Sequence, residues 1–171
     1  MIKPVLAGFL AAAAVIGAGM LAGALTHAHG HDYPEARSYA VSDDAMGDVE
    51  AALARAGENN KRVMVVMGAN WCHDSRALAG WLASERIGAL VDDRYELVFV
   101  NIGMPQSGDG HNLHIARRFG VDDLPGTPNL LVLSADGALL NRDTATTWRN
   151  AASREEDAIY DELAALAQKA I

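Results

Sequence analysis

The hydrophobic residues of the chain follow two kinds of pattern, helical spacing and short unbroken runs. Apolar residues spaced three or four apart predict amphipathic helices near residues 42–57, after Cys72, at residues 112–119 and after Ser153. Unbroken apolar runs are typical of strands that are covered on both faces. Such runs are found at residues 63–67, at 97–102, where Asn101 is the one polar residue, and at 129–133, where the first residue, Asn129, is polar.

Turn signals separate these elements and set their order. Asp136-Gly137 predicts a hairpin that returns the last strand into Ala138–Leu140. Ser153 and Glu156 have the spacing of a capping box for the final helix. Strands linked through a helix favour parallel pairing, and the hairpin adds an antiparallel pair. We therefore predict an α/β fold with a central mixed β-sheet flanked by helices.

The first 28 residues differ in composition from the rest of the chain. After Lys3, residues 5–25 form an uncharged run, which is long for a signal peptide and just long enough to span a bilayer. We expect residues 1–28 to be a cleaved signal peptide or a retained N-terminal membrane anchor. Residues 29–41 are then a linker and residues 42–171 the folded domain. Either alternative exports the domain, in a bacterium to the periplasm.

Charge and cysteine content exclude several classes of protein. The formal net charge is −8 and the chain has no basic cluster, so nucleic acid is not an expected partner, and membrane contact is limited to the possible anchor. One cysteine cannot form an internal disulfide, which excludes a disulfide-stapled scaffold. Residues 103–110 are a glycine-rich loop without the G-x-x-x-x-G-K pattern of a nucleotide site, and no cofactor is predicted.

His27, His29 and His31 are the residues for which a metal site needs to be considered. Cleavage after Ala28 would leave a free amine two residues before a histidine, a spacing that suits square-planar Cu(II) or Ni(II). Three histidines without a partner motif are more typical of a solvated linker, and we predict no metal site.

The single cysteine, Cys72, lies where a predicted buried strand ends and a helix begins. Unpaired backbone N–H groups and the positive end of the helix dipole at such a junction favour the thiolate. Free cysteines are often buried and inert. The polar residues His73, Asp74 and Ser75 that follow nevertheless indicate a thiol that is not fully buried, and Ser75 itself is expected to be only partly buried.

The residues around Cys72 resemble the Trp-Cys-x-x-Cys site of the thioredoxin family. In this chain the motif reads Trp-Cys-His-Asp-Ser, with Ser75 in place of the second cysteine. The resemblance implies a thioredoxin-like fold in which Cys72 and Ser75 occupy the catalytic positions and Trp71 and His73 contact the substrate. A serine hydroxyl can hydrogen-bond a thiolate but cannot resolve a mixed disulfide, so the resemblance is to a monothiol variant.

A second segment, Gly-Thr-Pro-Asn at residues 126–129, resembles the Thr-Pro segment of the same family. In that family the proline is cis and lies against the active-site cysteine. The resemblance therefore implies that Thr127 and Pro128 contact the substrate and that Pro128 lies beside Cys72. The resemblance extends over roughly residues 43–170.

Other positions depart from the family pattern or have a simpler interpretation. Typical thioredoxins have a buried acid six residues before the first cysteine, where this chain has Val66. The span from Cys72 to Pro128 is also longer, with the extra residues expected at 103–110, where they could shape a partner site. Adjacent residues on a helix do not face each other, so His73 is a poor general base for Cys72. We interpret as solvated surface residues Arg76, His111 and His114.

Two classes of function remain open from the sequence. The first is a monothiol thiol–disulfide oxidoreductase, in which Cys72 forms mixed disulfides with exported proteins or small-molecule thiols. The second is a redox-silent binding module that uses the groove around Trp71 and Pro128 to hold an extended peptide. The presence of both the cysteine and its tryptophan favours the first class.

Overall fold

Residues 33–169 are the part of the chain that the computed structural model describes. The predicted signal peptide or anchor at 1–28 lies outside these residues, as do His27, His29 and His31. Among the helices of residues 33–169, none is both long enough and apolar enough to cross a membrane.

The described residues form five α-helices, five strands and two short 3-10 helices. The α-helices are α1 (Ala45–Asn59), α2 (His73–Leu82), α3 (Glu85–Arg94), α4 (Leu113–Arg118) and α5 (Glu156–Gln168). The strands are β1 (Arg62–Gly68), β2 (Tyr95–Asn101), β3 (Gly103–Met104), β4 (Asp109–Gly110) and β5 (Asn129–Leu133). The 3-10 helices are Pro105–Ser107 and Ala151–Ser153.

Strand β1 is the centre of a three-stranded sheet with the order β2-β1-β5. Strand β2 pairs with it in parallel, with Val98 opposite Val65, and β5 pairs antiparallel, with Leu131 opposite Val65. Every residue of β1 after Arg62 is buried, because helices cover both faces of the strand. The α/β fold with a mixed sheet, predicted from the hydrophobic runs, is confirmed.

Side chains alternate along β1 and so divide the core into two halves. Met64 and Val66 lie in the half that contains residues of α2, α3 and α5. Val63, Val65 and Met67 lie in the half that contains residues of α1 and α4. Because both halves are packed against β1, the position at which this strand ends is fixed.

The predicted return strand at Ala138–Leu140 is reduced to one bridge, between Leu133 and Leu139. The Asp-Gly turn itself is present, and the Gly137 N–H donates to the Ser134 carbonyl oxygen at 2.9 Å. The sequence signal therefore identifies the turn correctly but not the length of the pairing that follows it.

A side chain continues the hydrogen bonding of β5 where the return strand ends. Asn141 is fully buried, and its Oδ1 accepts a bond from the Val132 N–H at 2.8 Å. Its Nδ2 donates to the Leu130 carbonyl oxygen at 2.9 Å. The side-chain amide thus presents the same donor and acceptor that a neighbouring strand would present.

The predicted capping box at the final helix is wrong. Ser153 ends a 3-10 helix, and its hydroxyl donates to the Asn150 carbonyl oxygen at 3.0 Å. The residue at the N-cap of α5 is Glu155, which makes no side-chain capping bond. Glu156 instead accepts a bond from the Ser84 hydroxyl at 3.5 Å, which links α5 to the start of α3.

The described part of the predicted linker, residues 33–41, packs on the domain, and we call it the strap. Tyr39 is only 1% exposed and belongs to the core half that contains α2. The Ala36 N–H donates to the Arg76 carbonyl oxygen at 3.0 Å. The described part of the segment predicted as a linker is therefore attached to the domain, because a buried tyrosine anchors it.

Candidate functional site

The ends of three strands meet at one edge of the sheet. Strands β1 and β2 are parallel and both end there, and β5 begins there because it runs antiparallel to β1. The turn after β1 carries residues 70–72, and the residues just before β5 are Thr127 and Pro128. This topology brings together two motifs that are 55 residues apart in the chain.

Cys72 is the N-cap residue of α2, and its own N–H donates to the Ala69 carbonyl oxygen at 3.1 Å. Its thiol donates to the carbonyl oxygen of Thr127 at 3.5 Å. The peptide bond between Thr127 and Pro128 is cis, the isomer that the family resemblance implies. Only 8% of Cys72 is exposed, so the sulfur is more buried than the polar neighbours in the sequence suggest.

Ser75 is fully buried, and the expectation that it is only partly buried is wrong. Its hydroxyl accepts a bond from the Ala69 N–H at 3.4 Å, and its carbonyl oxygen accepts one from the Tyr39 hydroxyl at 3.2 Å. A side chain at Gly68 would place its Cβ 2.7 Å from the Ser75 Oγ. Among the described residues, the Ser75 hydroxyl thus bonds to the main chain of the turn, and the Cys72 thiol bonds to Thr127 and not to Ser75.

His73 and Asp74 form a pair with each other. The Nε2 of His73 lies 3.1 Å from the Asp74 Oδ2, and the His73 side chain is 64% exposed. The other carboxylate oxygen of Asp74 accepts a bond from the Ala152 N–H at 2.9 Å. Since the imidazole is directed at Asp74, the geometry agrees with the sequence argument that His73 is not a base for Cys72.

Arg76 is not the solvated surface residue that the sequence suggests. Its side chain is 18% exposed and forms an ion pair with Glu35 of the strap, with Nε and Oε2 separated by 3.2 Å. Its Nη1 donates to the carbonyl oxygens of Asn70 and Trp71, both at 3.2 Å. The sequence did not reveal these contacts, because the strap and the turn meet only in the folded chain.

Two asparagines, which the sequence analysis missed, join the strap to the site. The amide of Asn70 pairs with the main chain of Tyr39, accepting from its N–H at 3.3 Å and donating to its carbonyl oxygen at 3.0 Å. The Nδ2 of Asn101 donates to the same carbonyl at 3.1 Å. One signal was available, since Asn101 is a polar residue that ends a largely apolar strand at the edge where Cys72 was expected.

The loop predicted at residues 103–110 contains a small hairpin, β3–β4, that borders the site. The Trp71 indole N–H donates to the Gly103 carbonyl oxygen at 2.8 Å, which attaches the hairpin to the Cys72 turn. Trp71 remains 46% exposed and Met104, the next residue of the hairpin, is 37% exposed. The hairpin therefore presents apolar surface directly beside the cysteine.

A groove separates this hairpin from the segment that precedes β5. Thr127 lies at one end of the groove, and Arg117, Asp122 and Asp123 supply its charges. His111 and His114, which the sequence analysis interprets as solvated surface residues, are both exposed. Apolar and polar residues complete the lining of the groove, namely Pro105, Gln106, Leu113, Leu124, Pro125 and Gly126.

The described residues offer no ready metal site, and the position of the usual buried acid is apolar. Among residues 33–169, no group of three or more His, Cys, Asp or Glu side chains is placed to hold a metal ion. Val66, at the position of the usual acid, is fully buried in the core half that contains α2. The chemistry that the site can perform is therefore that of one thiol held between a helix N-terminus and a main-chain carbonyl.

Comparisons with known proteins agree with this geometry. A family model described as thioredoxin-like matches residues 44–135, which is more than half of the chain. A crystal structure of a disulphide isomerase from Xylella fastidiosa Temecula1 superposes with a TM-score of 0.67 and 29% sequence identity, covering 78% of this chain and 100% of that chain. The comparison with curated proteins finds no match. The protein is thus a member of the thioredoxin-like family, with one cysteine at the position of its active-site motif.

Proposed function

We propose that this protein is an exported thiol–disulfide oxidoreductase that acts through mixed disulfides on Cys72. The observation that carries the proposal is the placement of the one thiol, at the N-terminus of α2 and in contact with the Thr127 carbonyl. A helix N-terminus favours the thiolate, which is the form that attacks disulfides. The structural similarity to a disulphide isomerase supports the same class of chemistry.

The exchange step involves one bond formed and one bond broken. The Cys72 thiol loses its proton to solvent, and the thiolate attacks one sulfur of the partner's disulfide. A new S–S bond forms between Cys72 and that sulfur, while the partner's own S–S bond breaks. Its second sulfur leaves as a thiolate and takes up a proton from solvent.

Release of the partner requires a thiol from outside this chain. The chain has one cysteine, and the residue three positions on is Ser75, whose hydroxyl cannot attack a disulfide. If another thiol of the same partner attacks the mixed disulfide, the partner's disulfide is rearranged without net oxidation. If a small-molecule thiol attacks the Cys72 sulfur, the partner leaves with both of its thiols reduced, and Cys72 is left in a disulfide with the small molecule. A second small-molecule thiol then frees Cys72, and the two small molecules leave as a disulfide.

Exposed apolar side chains around the site support a protein as the partner. Trp71 and Met104 are both exposed. The hydrogen bond from Trp71 to Gly103 attaches the turn that carries Trp71 to the hairpin that carries Met104. Val41, at the end of the strap, is 78% exposed, and these three are the exposed large hydrophobic residues in the described chain. An unfolded or extended polypeptide can cover such surface, whereas a small polar thiol gains little from it. Export is proposed from the apolar run at residues 5–25.

Trapping of mixed disulfides tests the proposal. The tagged full chain is produced in the exported compartment, quenched with acid, alkylated and separated without reductant. We expect adducts that disappear with reductant and with Cys72→Ser. As a matched control, Cys72→Ser combined with Ala54→Cys moves the single thiol to an exposed position on α1, away from the end of β1 where Cys72 lies, and should capture few partners.

A redox-silent binding module is the second candidate, favoured by the burial of Cys72 to 8% exposure. This alternative predicts that the same partners copurify with Cys72→Ser and that no adduct is sensitive to reductant. The absence of any Cys72 adduct, together with unchanged partner binding by Cys72→Ser, would replace the first proposal with this one.

A further inference from the structure

We propose that Arg76 is a positioning residue for the Cys72 thiol and that Glu35 of the strap orients it. Arg76 fixes the turn in front of Cys72 through two main-chain carbonyl groups. This inference rests on the function proposed above and concerns the control of that same site.

The guanidinium of Arg76 reaches back over the start of α2. One nitrogen, Nη1, donates to the carbonyl oxygens of both Asn70 and Trp71 at 3.2 Å. These are the last two carbonyl groups before Cys72 in the chain. A planar fork with five donors can hold two carbonyl groups and a carboxylate at once, which a lysine ammonium cannot do in the same geometry.

No other side chain among the described residues bonds to these two carbonyl groups. The Asn70 amide is occupied by the main chain of Tyr39. Cys72 makes no side-chain capping bond to the first turn of α2. Removal of the Arg76 guanidinium would therefore leave the carbonyl side of the turn without its side-chain donor.

Glu35 holds the other side of the guanidinium in a bidentate pair. Its Oε2 accepts from the Arg76 Nε at 3.2 Å and its Oε1 from Nη2 at 3.3 Å. The next strap residue, Ala36, donates its N–H to the Arg76 carbonyl oxygen at 3.0 Å. The strap thus fixes both the main chain and the side chain of Arg76, and Nη1 remains directed at the turn.

The charged groups near the start of α2 leave Arg76 as the cation that holds the turn. On α2, His73 is paired with Asp74, and its Nε2 lies 3.1 Å from the Asp74 Oδ2. The hydrogen bond to Glu35 raises the pKa of Arg76 above its ordinary value, so the guanidinium keeps its proton and all of its donors. The Tyr39 hydroxyl of the strap is bonded to the Ser75 carbonyl oxygen and not to the turn.

The rate of Cys72 alkylation by iodoacetamide, measured from pH 5 to 10 on the native full chain, tests this inference. We expect Arg76→Met to slow the reaction about three- to tenfold across this range, because Cys72 is then held less firmly at the N-terminus of α2. Arg76→Lys keeps the charge but lacks the planar fork, so it should recover only part of the rate. Glu35→Gln leaves the guanidinium without its carboxylate partner and should slow the reaction by a smaller factor than Arg76→Met.

Arg55→Met is the matched control, because Arg55 is also ion-paired, to Glu96 at 2.9 Å, but lies on α1. Its alkylation profile should match the parent. Equal profiles for Arg76→Met and Arg55→Met would overturn the inference. So would a parent-like rate in Arg76→Lys, because a charge without the planar fork would then be sufficient.

The two proposals fail in different ways. If Cys72 is alkylated normally but forms no partner adduct, the proposed oxidoreductase function is contradicted. The alkylation rates of the Arg76 and Glu35 variants then still decide whether Arg76 is a positioning residue. If partner adducts form but all variants have the same alkylation rates, only the positioning role of Arg76 is contradicted. If Arg76→Met does not fold, Arg76→Lys and Glu35→Gln still decide, and alkylation that requires unfolding of the parent overturns both proposals.

Discussion

The Cys72 thiol and the Thr127 carbonyl oxygen are hydrogen-bonded to each other at 3.5 Å, across 55 residues of sequence. A thiolate has no proton to donate, so ionisation of Cys72 releases this carbonyl. The freed acceptor can then bind a main-chain N–H of an extended partner, in the way that an added strand binds at a sheet edge. Ionisation of Cys72 therefore produces the attacking thiolate and, at the same time, frees the Thr127 carbonyl oxygen to bind the main chain of the partner.

Ser75→Cys should turn the site into a dithiol site. Residues 72 and 75 lie one turn apart at the start of α2, so their side chains share a face. We expect a reversible disulfide between Cys72 and the introduced thiol, and turnover in reductant-driven insulin reduction where the parent shows almost none. Because Ser75 is fully buried, the larger sulfur is expected to lower the free energy of unfolding by about 1 kcal/mol. Non-reducing mass spectrometry detects the disulfide.

Ser75→Ala is the control for this change. It keeps the single thiol and should show no insulin-reductase turnover. It also removes the acceptor of the Ala69 N–H, at a cost of about 1–2 kcal/mol in the free energy of unfolding. Two free thiols in Ser75→Cys under mild oxidant would show that residues 72 and 75 do not face each other at the helix start.

Trp71→Phe should loosen the hairpin while keeping an apolar ring beside Cys72. The phenyl ring has no donor for the Gly103 carbonyl oxygen, which the indole N–H reaches at 2.8 Å. We expect faster hydrogen exchange of the amides at residues 103–110 and weaker capture of protein partners. Exchange measured by mass spectrometry gives the first result, and Trp81→Phe is a suitable control because its indole bonds to Ala151, away from the hairpin. Unchanged exchange at 103–110 would contradict the attachment.

Buried tyrosines should make the domain sensitive to alkali. Burial raises the pKa of both Tyr39 and Tyr95 well above the ordinary value of 10.0. A raised pKa in the folded state means that the stabilising effect is complete below about pH 10 and is lost as the pH rises further, because the unfolded chain ionises first. We expect the free energy of unfolding to fall above about pH 10, with a shallower fall in Tyr39→Phe.

Tyrosinate absorbance measures this directly. Titration of the folded protein should leave two of its four tyrosines un-ionised until the domain unfolds. Tyr39→Phe reduces that number to one and also removes the hydroxyl donated to the Ser75 carbonyl, costing about 1 kcal/mol at neutral pH. A smooth titration of all four tyrosines, without unfolding, would contradict the burial of Tyr39 and Tyr95.

The fold could be predicted from the sequence because its signals are local. The runs at residues 63–67 and 129–133 have few polar residues and are covered on both faces, so each reads clearly as a buried strand. Cys72 and Pro128 are each marked by a short motif, and the order of strands brings the motifs together. The family assignment follows from the same two segments.

The contacts around the motif could not be predicted, because they depend on segments that meet only after folding. Nothing local in residues 33–41 distinguishes a solvated linker from a strap whose Tyr39 is buried. Arg76 reads as an exposed helix residue until Glu35 lies against it. Burial of Ser75 likewise follows from the approach of Tyr39, which is 36 residues away in the chain.

Asn141→Ala should destabilise the domain without touching the site. The substitution leaves two buried main-chain groups of β5 without partners, the N–H of Val132 and the carbonyl of Leu130. Each unpaired buried group costs about 1–3 kcal/mol, so we expect the free energy of unfolding to fall by about 2–6 kcal/mol. Urea unfolding with an unchanged slope measures this, and alkylation of Cys72 in the folded protein should proceed at the parent rate.

Two further variants separate the hydrogen bonds from loss of side-chain volume. Asn141→Asp keeps the shape and the acceptor for Val132 but replaces the donor to Leu130 with a buried carboxylate. Burial disfavours that charge, so the pKa of the new carboxyl is raised in the folded state. The variant should therefore be least stable at neutral pH and should recover as the pH falls, because protonation removes the charge and supplies a donor. Asn150→Ala, at an exposed asparagine with no side-chain capping bond, should change stability by less than about 0.5 kcal/mol. A loss in Asn141→Ala no larger than in Asn150→Ala would show that Asn141 does not replace the missing strand.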